Sequence, residues 1–197
     1  MRGRFIAFEG GEAAGKTTQA ALLSERLGAV STREPGGTVV GERVRSLVLD
    51  PAVRVDIRAE ALLMAAARAQ HVAEVIEPAL AAGRHVVTDR YTPSSLAYQG
   101  VGRGLPIEEV AALSAFATGG LEPDLVLLLD LPLEMTASRL SSVPDRLEQE
   151  GAPFHARVAA AFRRLAAADP ARWVVVPAEG TGEEVASRVW EAVNRLP

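Results

Sequence analysis

FEGGEAAGKTTQ, residues 8–19, contains the pattern GxxxxGK(S/T) from Gly10 to Thr17. The apolar run before it, residues 4–9, is typical of a buried strand, and residues 15–27 have the composition of a helix. Between a strand and a helix, the N–H groups of such a loop and the helix N-terminus cradle an anion, usually a phosphate. The pattern predicts a nucleotide phosphate-binding loop formed by Gly10, Gly11, Glu12, Ala13, Ala14, Gly15, Lys16, Thr17 and Thr18.

Lys16 is the only lysine among 21 basic residues, so all the others are arginine. Its position demands lysine, because a compact ammonium on a flexible stem can follow a moving phosphoryl group better than a planar guanidinium can. The next residue, Thr17, has a hydroxyl that can hold Mg²⁺. A guanine-reading Asn-Lys-x-Asp segment, as in GTPases, cannot be formed, since the only asparagine is Asn194.

The composition is that of an ordinary globular protein without a strong net charge, so any anion-binding site must be local. Of its 197 residues 48% are hydrophobic and 23% charged, and the net charge is −4. No overall basic field favours nucleic acid or an anionic membrane, and no apolar run approaches the ~18 residues of a membrane span. The chain has no cysteine, which excludes disulfides and thiolate ligands. We expect a cytoplasmic protein without nucleic-acid or membrane partners.

Strand-like runs alternate with helical runs along the whole chain. Alternation of this kind indicates an α/β fold with a parallel sheet covered by helices on both faces. One helix, capped by Asp56, has Pro78 inside its apolar pattern, so we expect a kink or a restart there before Gly83. The predicted strands are residues 4–9, 29–34, 85–89, 124–130 and 172–177.

The sequence contains no recognisable domain linker, so we predict a single domain over residues 1–197. Helices are predicted between the later strands at residues 93–98, 106–118, 133–140, 152–168 and 182–196. The polar stretch 141–151 contains Pro144 and interrupts this pattern. We interpret it as a short lid.

Arginines stand at or near the points where predicted strands end. A single arginine is most often a solvated surface residue, but several at the carboxyl edge of a parallel sheet lie where such sheets bind ligands. This distribution suits an enzyme that holds two phosphorylated molecules end to end. The residues concerned are Arg33, Arg45, Arg68, Arg90, Arg139 and Arg146.

One segment, VVTDRYTPSSLAYQGVGRG (86–104), is specific in the spacing from its Asp-Arg pair to Ser-Ser, Ala-Tyr and Gln. It occurs together with FEGGEAAGKTTQ (8–19), TREPGGT (32–38), RSLVLD (45–50), RAQHV (68–72), LDLPLE (129–134) and DRLEQEG (145–151). In these segments the chain resembles the bacterial type of thymidylate kinase, over essentially its whole length.

This resemblance implies a P-loop NTPase-type three-layer fold with a five-stranded parallel sheet, and a homodimer. It also implies phosphoryl transfer from ATP to dTMP with Mg²⁺, giving dTDP and ADP. Residues 10–17 would hold the ATP phosphates, with Lys16 in a catalytic role. Thr17 and Asp89 would lie at the metal, and Arg139 and Arg146 would close over ATP from the lid.

The resemblance also implies how dTMP is held. Arg45 and Arg90 would bind its phosphate, and Glu12 would approach its sugar. Arg68 would donate to O4 of thymine. The remaining implied contacts are Ser95 and Gln99 at the N3 edge of the base, Tyr98 at the ribose 2′ position, and Glu9 and Glu34 in the lining of the cleft.

Three positions depart from the family pattern. Met64 stands where the family usually has a phenylalanine stacked on thymine, Ser141 where lids often have another arginine, and Ala13 where glycine is common. Two alternative functions stay open from the sequence. One is a kinase for a different nucleoside monophosphate, and the other is a nucleotide-binding regulatory module without turnover.

Overall fold

The computed structural model describes residues 2–136, 139 and 144–194. These residues form a five-stranded sheet in which every neighbouring pair of strands is parallel. The strands are β1 (Phe5–Glu9), β2 (Val30–Arg33), β3 (Val86–Asp89), β4 (Leu125–Asp130) and β5 (Trp173–Pro177). Their order across the sheet is β2-β3-β1-β4-β5, which confirms the predicted α/β fold.

Helices connect the strands. They are α1 (Lys16–Leu27), α2 (Val39–Leu49), α3 (Ile57–His71), α4 (Glu77–Ala81), α5 (Thr92–Ser95), α6 (Ile107–Thr118), α7 (Leu133–Thr136), α8 (Ala152–Ala168) and α9 (Gly182–Asn194), with π-helical segments at Val72–Ile76 and Leu96–Gly102. Among the described residues, none of these helices is both long and apolar enough to cross a membrane.

The sheet is covered on both faces, which explains why its central strands are apolar without alternation. All of β1 is buried, and so is β4 up to Leu129. On one side, α1 and α9 pack on the sheet around Leu23, Val185 and Val189. On the other side, α8 packs through Val158 and Phe162. The result is the predicted three-layer arrangement.

The interruption predicted at Pro78 occurs. Asp56 caps α3 by accepting a hydrogen bond from the backbone N–H of Arg58. The π-helical segment Val72–Ile76 then joins α3 to α4, with Pro78 in the first turn of α4. Proline is tolerated at that position because its missing N–H would have no partner within the helix.

Part of the predicted lid lies outside the described residues. This part is residues 141–143, including Ser141, and elsewhere in the chain residues 1, 137, 138, 140 and 195–197 also lie outside the described residues. The predicted helices 133–140 and 182–196 are therefore described only as α7 and α9. Arg146 to Gln149 form turns that lead into α8.

Candidate active site

A cleft of about 470 Å³ lies at the carboxyl edge of the sheet, within the size range of small-molecule sites. Its walls come from the loop after β1 and from residues that follow β2 and β3. It brings together most of the residues predicted from the sequence. These are Glu12, Ala13, Gly15, Lys16, Thr17, Thr18, Glu34, Arg45, Met64, Arg68, Asp89, Arg90, Ser95, Tyr98, Gln99 and Arg139.

The loop after β1 has the backbone conformation of an anion cradle. Ala13 and Gly15 adopt positive φ values of 56° and 87°, which turns successive N–H groups toward one side. Gly10 approaches β4 so closely that a Cβ at this position would lie 2.5 Å from the carbonyl oxygen of Leu129. The glycine is therefore required by packing as well as by its φ of 143°.

Lys16 is buried at the base of this loop. Its Nζ donates to the carbonyl oxygen of Gly11 at 2.6 Å, which uses one of its three donors. Burial and the nearby charge of Arg90 lower the pKa of Lys16. An anion in the cleft would reverse the effect of Arg90 and stabilise the ammonium form.

Thr17 and Asp89 form a pair of hard oxygen ligands beside the loop. The Thr17 hydroxyl donates to Asp89 Oδ2 at 2.6 Å. The other oxygen, Asp89 Oδ1, is buried without a hydrogen-bond partner among the described residues. No group of three or more acidic, histidine or cysteine residues in the described chain could hold a metal by itself. The pair fits Mg²⁺, which usually takes one or two protein ligands together with phosphate and water.

Arg90 lies at the centre of the cleft. It follows β3 and has a φ of 74°, a strained conformation for an arginine that is typical of functional sites. Its guanidinium donates to Glu12 Oε1 at 2.8 Å, and to the Gly10 carbonyl, the Ser94 hydroxyl and the Tyr98 hydroxyl at 3.1 Å. This network fixes a buried cation near the phosphate-binding loop.

Glu12 and Tyr98 are held by the same network. Burial alone would raise the pKa of Glu12, but the charges of Arg90 and Lys16 and the hydrogen bond from Tyr98 lower it to about 2. The ring of Tyr98 packs edge-on against Phe154 and Phe162 at 6.0 and 6.2 Å between centroids. Glu12 is therefore ionised, and the Tyr98 hydroxyl points at it from a fixed ring.

Glu9 does not line the cleft, in contrast to its predicted position. It is fully buried at the end of β1 and accepts hydrogen bonds from the Tyr91 N–H, the Ser94 N–H and the Ser94 hydroxyl. Burial raises its pKa to about 7. Its carboxylate fixes the start of α5 beneath the cleft, because those donors need a buried acceptor.

Two arginines make a second cationic region at the end of β2. Arg45 donates to the Pro35 carbonyl at 3.0 Å, and its pKa is lowered by burial and by the charge of Arg33. Arg33 also lines the cleft and pairs with Glu42 at 3.1 Å. Two neighbouring guanidinium groups with one carboxylate between them favour a phosphate as an additional partner.

Arg68 has one guanidinium nitrogen left for a ligand. Its Nε donates to Glu34 Oε2 at 2.7 Å and its Nη2 to the Tyr91 carbonyl at 3.2 Å. Its Nη1 is buried with no hydrogen-bond partner in the part of the chain that the structure describes. Behind Glu34, His71 Nδ1 lies 2.8 Å from Glu34 Oε1, and the Thr32 hydroxyl lies 2.6 Å from His71 Nε2. This relay of Glu34, His71 and Thr32 holds the guanidinium in one orientation at the cleft wall.

Met64 lies one turn before Arg68 on α3 and lines the same wall. It is buried and belongs to the same apolar cluster as Val48, Ala67 and Tyr98. A flexible thioether can adapt its shape to a planar ring. The structure thus gives Met64 a position from which it can contact a base.

Arg139 and Arg146, predicted as a pair in the lid, are separated in the structure. Arg139 lines the cleft and donates to the carbonyl oxygens of Ala178 and Gly180. Arg146 is not among the residues that line the cleft. Its Nε donates to the Val48 carbonyl at 2.7 Å and its Nη2 to Glu60 at 2.6 Å, so a buried carboxylate holds its guanidinium outside the lining of the cleft.

Six lining residues were given no role from the sequence, although each lies in a segment that resembles the family. Pro35 is part of 32–38, Leu49 of 45–50 and Ser94 of 86–104, and the other three are Asp145, Leu147 and Glu148 of 145–151. Arg33, expected near the ligand as an arginine at the end of a strand, does line the cleft.

The cleft thus has a loop with the conformation of an anion cradle and the Thr17–Asp89 oxygen pair at one end, and cationic groups with a guanidinium nitrogen that has no partner among the described residues at the other. Phosphoryl transfer requires positioning and charge neutralisation more than covalent chemistry. A loop of this type on a parallel sheet, facing a group of arginines in the same cleft, defines the protein as a P-loop kinase.

Residues 8–189 match the family model described as thymidylate kinase, and the chain belongs to that family. It is 54% identical to thymidylate kinase of a Synechococcus species, over 98% of this chain and 96% of that one. It is 48% identical to thymidylate kinase of Deinococcus radiodurans, over 98% and 97%. The crystal structure of thymidylate kinase from Ehrlichia chaffeensis superposes with a TM-score of 0.80, at 30% identity, over 98% of this chain and 99% of that one.

These similarities confirm the resemblance to thymidylate kinases. The chain is an enzyme that phosphorylates dTMP to dTDP with a nucleotide as phosphoryl donor. A regulatory module without turnover and a kinase for another monophosphate are both less consistent with this family membership.

Proposed function

We propose that ATP, with Mg²⁺, is the phosphoryl donor and that it binds at the loop of residues 10–17. The observation that carries this proposal is the Thr17–Asp89 pair. In this pair Asp89 Oδ1 is buried and has no hydrogen-bond partner among the described residues. A bound Mg²⁺ would neutralise phosphate charge. Thr17 and Asp89 would hold it, next to the ammonium group of Lys16.

The protein's own residues would act by positioning and by electrostatic stabilisation. Lys16 would bind the transferring phosphoryl group, and Arg90 would lie between donor and acceptor phosphates. Arg45 would hold the dTMP phosphate at the other side. Glu12, ionised at neutral pH, keeps Arg90 in place and would approach the sugar. Arg139 would close the donor end, next to the loop after β5.

The other end of the cleft would hold the nucleoside. Arg68, fixed by Glu34, would donate to O4 of thymine, and Ser95 and Gln99 would meet the N3 edge. Met64 would lie against the base. Tyr98, with its ring locked by packing, would leave no room for a ribose 2′-hydroxyl. The remaining proposed loop contacts to the donor phosphates are Gly10, Gly11, Ala13, Ala14, Gly15 and Thr18.

Formation of ADP from ATP tests the donor and the acceptor together. With Mg²⁺ we expect rapid ADP formation in the presence of dTMP, and a background rate with dGMP or with no acceptor. Chelation of the metal should abolish the reaction, and added Mg²⁺ should restore it. Full activity after chelation, or equal rates with dGMP and dTMP, would contradict the proposal.

We also propose one kinase domain over residues 1–197, with residues 141–151 as a lid over the donor. This proposal is supported by Asp145, Leu147 and Glu148, which lie within residues 141–151 and line the cleft. A cytoplasmic location is consistent with a chain that has no cysteine and so needs no oxidising compartment.

The homodimer is proposed on the basis of an exposed apolar face on α3 and α6, two helices that pack together. Phe116 is 88% exposed and Leu62 58% exposed, and Ala66 and Ala112 beside them are also exposed. Large apolar side chains grouped on one face mark an interaction surface. A second copy of the chain would cover it by a symmetric contact.

Phe116→Glu should convert the dimer to a monomer, because it places a charge in the proposed apolar contact. Burial of one phenylalanine contributes about 1.5–3 kcal/mol, and the side chain occurs twice in a symmetric interface. Sedimentation velocity would measure the mass of each variant. Ala156→Glu adds the same charge at an exposed position of α8, away from α3 and α6, and this variant should stay dimeric. A Phe116→Glu variant that sediments as a dimer would place the interface elsewhere.

A further inference from the structure

Glu60 is a fully buried carboxylate in the first turn of α3. It accepts hydrogen bonds from three side chains: Gln99 Nε2 at 2.7 Å, Arg146 Nη2 at 2.6 Å and Arg103 Nη2 at 3.2 Å. It does not line the cleft, but Gln99 does. A buried group that contacts a ligand-facing side chain from behind can control how that side chain is oriented.

The chemistry of the two groups fixes the orientation of the Gln99 amide. An ionised carboxylate can only accept hydrogen bonds, so the NH₂ group of Gln99 must face Glu60. Burial would raise the pKa of Glu60, but the hydrogen bonds from Gln99 and Arg146 and the charge of Arg103 lower it. The carboxylate stays ionised, and the carbonyl oxygen of Gln99 is the atom that points away from it.

We propose that Glu60 is a positioning residue for base selection, because it presents the Gln99 carbonyl rather than the NH₂ group to the base. The inference rests on the proposed role of Gln99 at the N3 edge. Thymine carries a hydrogen at N3 and donates to a carbonyl oxygen, whereas N3 of cytosine is an acceptor and is repelled by it. A flipped Gln99 amide would reverse this preference.

The test is Glu60→Gln, which keeps the size of the side chain and removes the charge. The uncharged amide at position 60 no longer dictates which end of the Gln99 amide faces it. We expect the ratio of kcat/KM for dTMP to that for dCMP to fall by about tenfold or more, the effect of one hydrogen bond to a charged group. The change should lie mainly in KM, and kcat/KM for dCMP should rise in absolute terms.

A matched control separates this role from a merely structural one. Glu150→Gln removes another carboxylate that accepts from Arg103, but Glu150 has no hydrogen bond to Gln99 in the described structure. It should leave the ratio unchanged. If Glu60→Gln does not fold, Glu60→Asp keeps the charge for the two arginines and withdraws the carboxylate from Gln99, and it should lower the ratio in the same way.

Gln99→Ala distinguishes failure of the inference from failure of the proposed function. If Gln99→Ala leaves the ratio unchanged, Gln99 does not read the base and the proposed site is wrong at this position. If Gln99→Ala lowers the ratio and neither Glu60 variant does, the inference is overturned while the site stands. The double variant should have the ratio of Gln99→Ala alone, since Glu60 acts through Gln99.

Discussion

Lys16→Met is expected to lower kcat by a factor on the order of 10²–10³ or more, the effect of removing a preorganised donor to developing charge. The melting temperature should not fall. Lys16 Nζ contributes one hydrogen bond, to Gly11, and its burial beside Arg90 disfavours the charged form. Methionine has a similar length and no charge, so it removes a buried cation without opening a cavity. Steady-state ADP formation and thermal unfolding would measure the two effects.

Lys16→Arg tests whether charge alone is enough. We expect it to be nearly as inactive as the methionine variant, because a planar guanidinium does not fit the buried space next to the Gly11 carbonyl and cannot follow the phosphoryl group. Arg164→Ala removes an exposed cation of α8 and should have native kcat. A Lys16→Arg variant with a near-native rate would show that compact geometry is not the reason for the single lysine.

The strands and the phosphate-binding loop could be predicted because their signals are local. A buried run followed by glycines at fixed spacing specifies both the turn and the helix after it, and each predicted strand lies within one residue at each end of the observed one. The loop needs no distant partner to adopt its shape. For the same reason, the cap predicted at Asp56 occurs at the start of α3.

The partners of buried charges could not be predicted in this way. The family resemblance implies that Arg146 lies over the donor, but in the structure its guanidinium pairs with Glu60, 86 residues away in sequence. Glu9 was placed in the cleft, but it satisfies donors at the start of α5. These choices depend on which groups tertiary packing brings together, and a carboxylate binds whichever donors are buried beside it. Glu60 had no sequence signal at all.

At the cleft wall around Arg68, one residue could be predicted and its partners could not. Arg68 could be predicted from the segment 68–72, whereas the relay behind it, with Glu34, His71 and Thr32, appears only in the structure. In the structure His71 lies within hydrogen-bond distance of Glu34. The relay matters because an arginine without a fixed partner could turn to meet either base.

The native enzyme is expected to prefer dTMP to dCMP, with a ratio of the two kcat/KM values on the order of 10⁴. A site built around a hydrogen bond rejects a base that cannot make that bond. Arg68 Nη1 has no hydrogen-bond partner within the described residues, and an exocyclic oxygen supplies one. The amino group of cytosine would instead face this donor with another donor. For dUMP, which lacks only a methyl group, the loss should be roughly 10–200-fold. Coupled ADP assays with the three monophosphates would measure the order.

Arg68→Lys assigns this selectivity to the guanidinium. The lysine keeps a positive charge against buried Glu34, so the fold should be retained, whereas alanine would leave that carboxylate without its cation. A flexible ammonium can move away from the base, so dCMP should be rejected far less strongly. The preference for dTMP over dUMP should change little, because the methyl group is read by packing. If native enzyme used dCMP and dTMP equally well, or if Arg68→Lys kept the native rejection of dCMP, the free Nη1 donor would not be what selects thymine.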